Sequence, residues 1–470
     1  MNVLCLGMNG RFSHPNLALR YLRNEVRAAG HQADILEFDI SSRRQDILEA
    51  LALRSPQVLL ISVYVWNALL VRLLLPDIRA LLPQARLVLG GPEVSYTAAE
   101  WLERHPEIDV LICGGGEEAV RRLAQRQFAS ETRLLATANR PFSEVPFPYL
   151  EEDFAALANR YVYYESSRGC PCACAYCVSG RDDQRPDFRS VETTVAELDR
   201  IIAEEARWPA PPIVKLVDRT FNARPARARE IWRHLLQART RATFHFEIHP
   251  AFLTDEDIEL LAQAPPGRFQ FEVGVQSVHR KTLRAVGRGQ NWQKVRPRVR
   301  QLLEKTAVTI HLDLIVGLPH EDMSATAASI DDILALKPHR FDVGFLKSLP
   351  GTAIRDQAEA NAQVTMRDPP YQVLANRWLS VADFARLRRI EQLIDAVWNS
   401  CKLASELDAL AHRHGSYFAA LSALSDRAAR TGYNLATRQR HKVKAFVDGA
   451  LQVRDGSNCA VARARGTVGP

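Results

Sequence analysis

Short apolar runs alternate with stretches of helical period along the first part of the chain. The runs are Val3–Gly7, Ala33–Phe38, Gln57–Val65, Arg86–Gly90 and Val110–Gly114. Between them lie Leu17–Ala29, Gln45–Leu53, Leu69–Leu82 and Ala98–Arg104, whose apolar positions recur at helical spacing. Continuous apolar strands separated by single helices predict an α/β unit with a parallel, doubly wound sheet over residues 1–130. In such sheets ligands bind beyond the carboxyl ends of the strands. Here those ends are Gly7-Met8-Asn9-Gly10, Tyr64 to Asn67, Gly90-Gly91-Pro92-Glu93 and Gly114-Gly115-Gly116-Glu117. Glycine at three of these four ends lets backbone come close to a ligand, and it serves a tight strand-to-helix turn equally well.

Residues 131–160 break the pattern. Pro141, Pro146 and Pro148 alternate with Phe142, Phe147 and Tyr149, which predicts an extended interdomain linker laid over both neighbours. A second alternation follows, with strands expected at Tyr161–Glu165, Ile213–Val217, Thr243–Ile248, Arg268–Val275, Thr309–Val316 and Phe341–Leu346. Helical patterns at Val191–Glu205, Ala226–Ala238, Asp255–Ala264, Arg280–Val286, Val295–Leu303 and Ala325–Leu336 separate them. Six β/α units over residues 161–348 make a partial barrel with its site at the carboxyl ends of the strands. From 349 to 452 the pattern is that of a helical domain, at Leu374–Asn399, Cys401–His414, Tyr417–Thr431 and Gln439–Val447. Residues 453–470 read as a disordered tail.

At 470 residues the chain exceeds one ordinary core, in keeping with this division. Lys and Arg outnumber Asp and Glu by 61 to 54, and the basic residues are scattered rather than gathered in blocks. A mildly basic, solvated surface fits that distribution better than a nucleic-acid face. The most apolar stretch, from Val58 to Val71, is interrupted by Ser62 and Asn67 and ends at Arg72, so it is too short to span a bilayer. The first residues lack the basic start and cleavage site of a secretory signal, and a cytoplasmic location is expected. Neither the dinucleotide-binding nor the P-loop glycine pattern occurs.

The cysteines change the picture. Cys5, Cys113, Cys401 and Cys459 are isolated, whereas Cys170, Cys172, Cys174 and Cys177 share one window of eight residues. A disulfide framework belongs to small domains in oxidising compartments, and this chain offers neither. Cys170, Cys174 and Cys177 form C-x3-C-x2-C directly after an expected strand. A structural zinc site would need a fourth ligand with paired spacing, and none follows. Three thiolates on one short loop instead suit three irons of a [4Fe–4S] cube, with the fourth iron open. Cys172, inside the spacer, is expected to point away.

Residues Glu165-Ser166-Ser167-Arg168-Gly169-Cys170-Pro171 through Cys177 resemble the cluster loop of the radical S-adenosylmethionine (SAM) superfamily. The strand ends Gly90-Gly91-Pro92-Glu93 and Gly114-Gly115-Gly116-Glu117 are similar to those of its cobalamin-binding branch. The stretches from Asn9 to Tyr21 and from Leu216 to Asn222 resemble one subgroup, whose members end in a helical domain of unknown function. Phe345 to Thr352 and Asp368 to Tyr371 fit the start of that domain.

The resemblance implies a cobalamin-dependent radical SAM enzyme, most often a methyltransferase at an unactivated carbon. One SAM would serve as methyl donor and a second, chelating the open iron, as radical source. It further implies a low-potential electron donor and an unknown small-molecule or peptide substrate. Tyr176 would pack near the adenine; Glu247, Glu272, Gln276 and Asp313, assigned to carboxyl strand ends, would bind ribose or methionine groups; Arg288 would meet the SAM carboxylate. Asp218 and Arg219 stand where relatives often carry a glycine-rich contact. On the cobalamin side the set is Asn9, Tyr64, Trp66, Asn67, Gly90, Gly91, Glu93, Gly114, Gly116 and Glu117. His14 lacks the D-x-H-x-x-G setting of a cobalt ligand and reads as a surface or capping residue. The competing readings are a cyclase or oxidase with the same cofactors, and a non-catalytic cobalamin or iron–sulfur redox sensor.

Overall fold

The computed structural model describes residues 1–180 and 186–452, so the expected tail at 453–470 lies outside the described residues. The first unit is a six-stranded parallel sheet ordered β2-β1-β3-β4-β5-β6. Its strands are β1 (Asn2–Asn9), β2 (Gln32–Asp39), β3 (Val58–Ser62), β4 (Arg86–Gly90), β5 (Val110–Gly114) and β6 (Leu134–Thr137). The three central strands β3, β4 and β5 are almost wholly apolar, and one core lies on each face of the sheet. The chain reverses direction of travel between β1 and β3, which is where ligands bind in sheets of this order.

Residues 131–160 carry two elements of their own. Leu134–Thr137 completes the first sheet as its edge strand, Glu151–Ala156 is a short helix, and Phe142, Phe147 and Tyr149 are buried. The prolines mark direction changes in a packed segment, because the aromatic rings between them have two neighbours to bury against. Arg23 clasps Asp153 with both guanidinium ends at 2.8 and 2.7 Å. Glu37 receives Arg20 at 3.2 Å and Arg160 at 2.9 Å. The pairs of Arg23 with Asp153 and of Arg160 with Glu37 fasten the first unit to the joining segment, while Arg20–Glu37 lies within the first unit.

The second sheet contains, in chain order, β7 (Val162–Tyr164), β10 (Ile213–Leu216), β11 (Thr243–Ile248), β12 (Phe269–Gln276), β13 (Thr309–Val316) and β14 (Arg340–Phe345). A small antiparallel hairpin of β8 (Ser167–Arg168) and β9 (Asp187–Phe188) follows β7. Each long strand pairs in parallel with its sequential neighbour, and β7 and β14 remain the two edges. This is the expected open barrel. Along β12, Phe269, Phe271, Val273 and Val275 are buried under the helices, while Gln270, Glu272, Gly274 and Gln276 take the alternate face, the lumen.

The C-terminal helices, Val381–Leu393, Ala404–His414, Tyr417–Thr431 and Arg440–Gln452, share one hydrophobic core with the barrel. The segment expected to be helical from Leu374 instead begins as strand: Val364–Thr365 and Val373–Ala375 form the hairpin β15–β16. Pro369 and Pro370 between the two strands cannot sustain a helix there. Asn399, at the end of a π-helical turn, donates to Phe341 O at 2.8 Å and accepts from Phe341 N at 2.9 Å. Its amide thus pairs one residue of the open edge of β14.

Candidate active site

The cysteine loop is braced from three sides. Asp218, wholly buried after β10, accepts from Ser166 N at 3.0 Å, Ser166 Oγ at 2.6 Å and Ser167 Oγ at 2.5 Å. Burial raises the pKa of this carboxyl, and the three donors oppose that rise. Further on, Ala175 N donates to Val286 O at 2.9 Å and Ile354 N to Ala175 O at 2.8 Å. Gly287 has φ +68°, and a Cβ there would lie 2.7 Å from Ala173 O, so the loop rests directly on glycine backbone. Asp218 is therefore a structural support, which resolves the ambiguity its position left.

Cys174 is buried; Cys170, Cys172 and Cys177 are partly exposed, and all seven described cysteines are free thiols. Cys170 Sγ lies 3.3 Å from Thr220 Oγ1 and receives Cys172 N at 3.4 Å. The Cys172 thiol turns towards Cys170, and its hydrogen bond, with that of Thr220, draws the Cys170 pKa down to about 6. Among the described residues no three Cys, His, Asp or Glu side chains converge on a single-ion site. A cube takes one thiolate on each of three irons, so its ligands need no such convergence. Thr220 carried no sequence signal of its own; only its place in the loop after β10 brings it to Cys170.

Beyond the cysteines, Arg288 crosses the lumen. Its Nη1 donates to Tyr176 Oη at 3.4 Å and approaches Cys174 Sγ at 3.8 Å, and its Nη2 donates to Gly274 O at 2.5 Å. Its Nε is buried without a partner, as is Oε1 of Gln276. Gln276 ends β12 at φ +69°, and a Cβ on Gly274 would strike its amide nitrogen at 2.3 Å. Tyr176, Gly274, Gln276 and Arg288 thus meet at one place. An unmatched donor and an unmatched acceptor buried there fit the charged amino-acid end of a SAM molecule.

Glu247 is one residue from the end of β11, where burial pushes its carboxyl up to about 7 despite Arg219. Glu272 and Asp313 do not sit at strand ends as expected. Both are mid-strand, facing the lumen: Glu272 pairs with His245 at 3.2 Å, and Asp313 is held protonated-side by burial and by neighbouring Glu272 and Asp342. A strand's end cannot be located from alternation alone, and each of these strands runs several residues further.

In the first unit, a cavity of about 180 Å³ opens between the ends of β3, β4 and β5 and the helices Leu17–Ala28 and Gly116–Gln125. Tyr64, Gly90, Gly91, Gly114, Gly116 and Glu117 line it. The two readings of the glycines divide between residues. A Cβ on Gly91 would lie 2.4 Å from Val63 O, and one on Gly114 2.3 Å from Thr137 O, so these glycines serve tight backbone packing. At Gly90 and Gly116 the nearest atoms are 3.6 and 3.5 Å away, so a side chain would fit and would occupy the wall of the cavity. An apolar slot with one acidic lining residue, kept open by those two glycines, fits an apolar cofactor appendage.

Four residues of the cobalamin-side set do not line this cavity. Asn9 donates to Glu37 at 2.9 Å, and Asn67 bridges Met8 O and Ser62 O at 3.0 Å each. Glu93 accepts from Tyr371 Oη of the C-terminal segment. Trp66 is half exposed, stacked on Tyr64 with ring centres 4.4 Å apart. His14 lies elsewhere, edge-on to Tyr161 at 5.0 Å, consistent with its exclusion as a cobalt ligand.

One ion pair joins the two places. Arg168, two residues before Cys170, binds Glu117 of the cavity wall at 2.7 Å and Glu165 at 3.0 Å.

The B12 binding domain family matches residues 4–124, the radical SAM superfamily residues 164–333, and a protein family of unknown function, DUF4080, residues 362–445. The 2-(S-pantetheinyl)-carbapenam-3-carboxylate methyltransferase of Streptantibioticus cattleyicolor is 26% identical over 351 residues, 64% of this chain and 49% of that protein. The chain spans about half the length of the curated relatives it matches. Among solved structures, the cobalamin-dependent SAM radical enzyme OxsB aligns with a TM-score of 0.68 at 15% identity, covering 96% of this chain and 79% of that one. The radical SAM methyltransferase TsrM of Kitasatospora setae aligns with a TM-score of 0.62 at 18% identity, covering 78% and 76%. Over the greater part of its length the chain thus carries three domains in succession, a B12 binding domain, a radical SAM domain and a DUF4080 domain.

Proposed function

We propose that this chain is a cobalamin-dependent radical SAM methyltransferase acting on an unactivated carbon of a small molecule or peptide. The observation that carries the reading is the Arg168–Glu117 pair, which holds the cysteine loop against the wall of the glycine-lined cavity. Chemistry at both places can then act on one substrate between the sheets.

Cys170, Cys174 and Cys177 would hold the cluster, and Tyr64, Gly90, Gly116 and Glu117 would border the cobalamin. When bound, these groups supply reductive cleavage of SAM to a 5′-deoxyadenosyl radical and transfer of a methyl group. The protein's own residues bind, orient and exclude water. Arg288 Nε and Gln276 Oε1 offer one donor and one acceptor to the carboxylate and amine of SAM. The Glu247 carboxyl, pushed up to about 7 by burial, makes no hydrogen bond among the described residues and would take a ribose hydroxyl. Thr220, 3.3 Å from Cys170, tunes that sulfur by hydrogen bonding. Glu93 and Tyr371 close the C-terminal segment over the end of β4.

The electron comes from a separate low-potential donor. No described helix is long and apolar enough to cross a membrane. Free thiols suit a reducing compartment, and we place the protein in the cytoplasm. The test is anaerobic turnover of the reconstituted protein. Reductant-dependent 5′-deoxyadenosine is expected. Its absence with cluster, SAM and reductant all present would leave the sensor reading.

A further inference from the structure

A second cavity lies in the lumen, away from the cysteine loop. It measures about 630 Å³ and is lined by Arg11 and His14 of the loop after β1, Lys215 of β10, His245 of β11, Glu272 of β12 and Arg340 of β14. The lining also includes Gln270, second residue of β12, six positions before Gln276 at the catalytic end. At the rise of a strand those six positions span about 20 Å.

The charges here are only partly matched. Arg340 is paired with Asp342 at 2.6 Å, and Glu272 with His245 at 3.2 Å. Arg11 and Lys215 form no ion pair among the described residues; Lys215 Nζ lies 4.9 Å from the centre of the Tyr161 ring, on the cavity wall. His245 is 3% exposed, yet its Nδ1 has no hydrogen-bond partner. Burial, together with the nearby Lys215 and Arg11, lowers the pKa of His14, so that ring stays neutral beside the two cations. Lys215, half-buried, and Arg11, exposed at the rim, thus line one cavity without an ion-pair partner among the described residues, and two such cations suit an oxyanion.

We propose that this cavity anchors the acidic end, a carboxylate or phosphate, of an elongated small-molecule substrate, with Lys215 and Arg11 as its partners. The reacting carbon then lies about 20 Å away at the catalytic end of the lumen. Asp313 stands between, its carboxyl without a hydrogen-bond partner among the described residues, ready for a donor along the substrate. The direction of the molecule rests on the function proposed above; the anion site does not.

Pyridoxal 5′-phosphate tests it on the full chain. This aldehyde condenses with a lysine amine, releasing water, most readily where its phosphate is also held; borohydride then fixes the adduct. Peptide mapping across the nine lysines should find Lys215 labelled about tenfold above the surface lysines. Protection by inorganic phosphate assigns a phosphate ligand and protection by glutarate a carboxylate. Arg11→Ala should reduce labelling at Lys215 alone. Labelling of Lys215 no faster than elsewhere, or no protection by either anion, overturns the proposal. Neither cluster nor cobalamin is needed, so this failure would leave the proposed function standing, and failed SAM cleavage with intact labelling would do the reverse.

Discussion

Glu117 and Arg168 are joined at 2.7 Å across the boundary between the two parallel sheets, and each belongs to a different site. Glu117 opens the helix whose first turn walls the cavity at the strand ends; Arg168 precedes the cysteine loop and stacks on Phe142 at 4.5 Å. Phe142 lies in the segment that joins the units, so three parts of the chain meet at one guanidinium. The relative position of the two sites is thus written into side-chain contacts.

Cluster binding should separate the four loop cysteines. Anaerobically reconstituted protein should carry about four irons at this loop. Ala at Cys170, Cys174 or Cys177 should abolish them, and Cys172→Ala should retain them, although Cys172 leans on Cys170 here. Iron and sulfide analysis reads the result; loss in Cys172→Ala with retention in Cys174→Ala would reverse the ligand assignment.

On the cobalamin side, Gly116→Leu should fill the slot while leaving the fold intact, because the nearest atom to a Cβ there is 3.5 Å away. Hydroxocobalamin affinity should fall by about tenfold or more, the scale of a lost apolar contact of this size. His14→Ala should bind as the parent does, and electron paramagnetic resonance of the reduced cofactor should show no histidine nitrogen on cobalt. A nitrogen splitting that vanishes in His14→Ala would contradict the placement of His14.

How much of this was legible in sequence depends on the range of each signal. The cysteine spacing and the six β/α units were plain, because spacing and apolar period are local. The edge strand Leu134–Thr137 escaped, since its apolar run, Leu134-Leu135-Ala136, is too short to read as a strand. The short helix Glu151–Ala156 escaped as well, because proline counts say nothing about what Phe142 and Tyr149 pack against. The partners of Asn67 and Glu93 were illegible for a related reason: polar side chains at strand ends serve a ligand or their own turn, and Met8 O and Tyr371 lie far along the chain. Thr220 at Cys170 and Arg168 at Glu117 are long-range pairs that no window along the chain contains.

Arg288→Ala should weaken SAM binding by about 1.5–3 kcal/mol, the worth of a charge-assisted hydrogen bond. Cobalamin binding should be unaltered, because that cavity has no residue from β12 or its following loop. Equilibrium binding of SAM to the cluster-loaded protein is the measurement, and an unchanged affinity would leave Arg288 a support for Gly274 and the cysteine loop.

The clasp between the first unit and the joining segment should respond to acid. Burial acts to raise the Glu37 pKa, but Arg20, Arg160 and Asn16 N outweigh it and hold the carboxyl below its ordinary value of 4.5. A lowered folded pKa gives stability that is full above the unfolded value and is lost as pH falls through the folded one. Chemical denaturation should therefore show this contribution at pH 5–7 and its decline below about 4.5. Glu37→Gln should flatten that acid limb and cost about 2–3 kcal/mol at neutrality, since two buried guanidinium groups lose their partner.

The central claim is that one chain joins radical SAM chemistry to methyl transfer through cobalamin. The most direct measurement uses SAM with a deuterated methyl group, reductant, and protein loaded with cluster and hydroxocobalamin. Both 5′-deoxyadenosine and S-adenosylhomocysteine are expected, with the label arriving on the bound cobalamin in step with S-adenosylhomocysteine. Deoxyadenosine alone, with the cobalamin unlabelled and no S-adenosylhomocysteine formed, would contradict methyl transfer and leave a cyclase or oxidase.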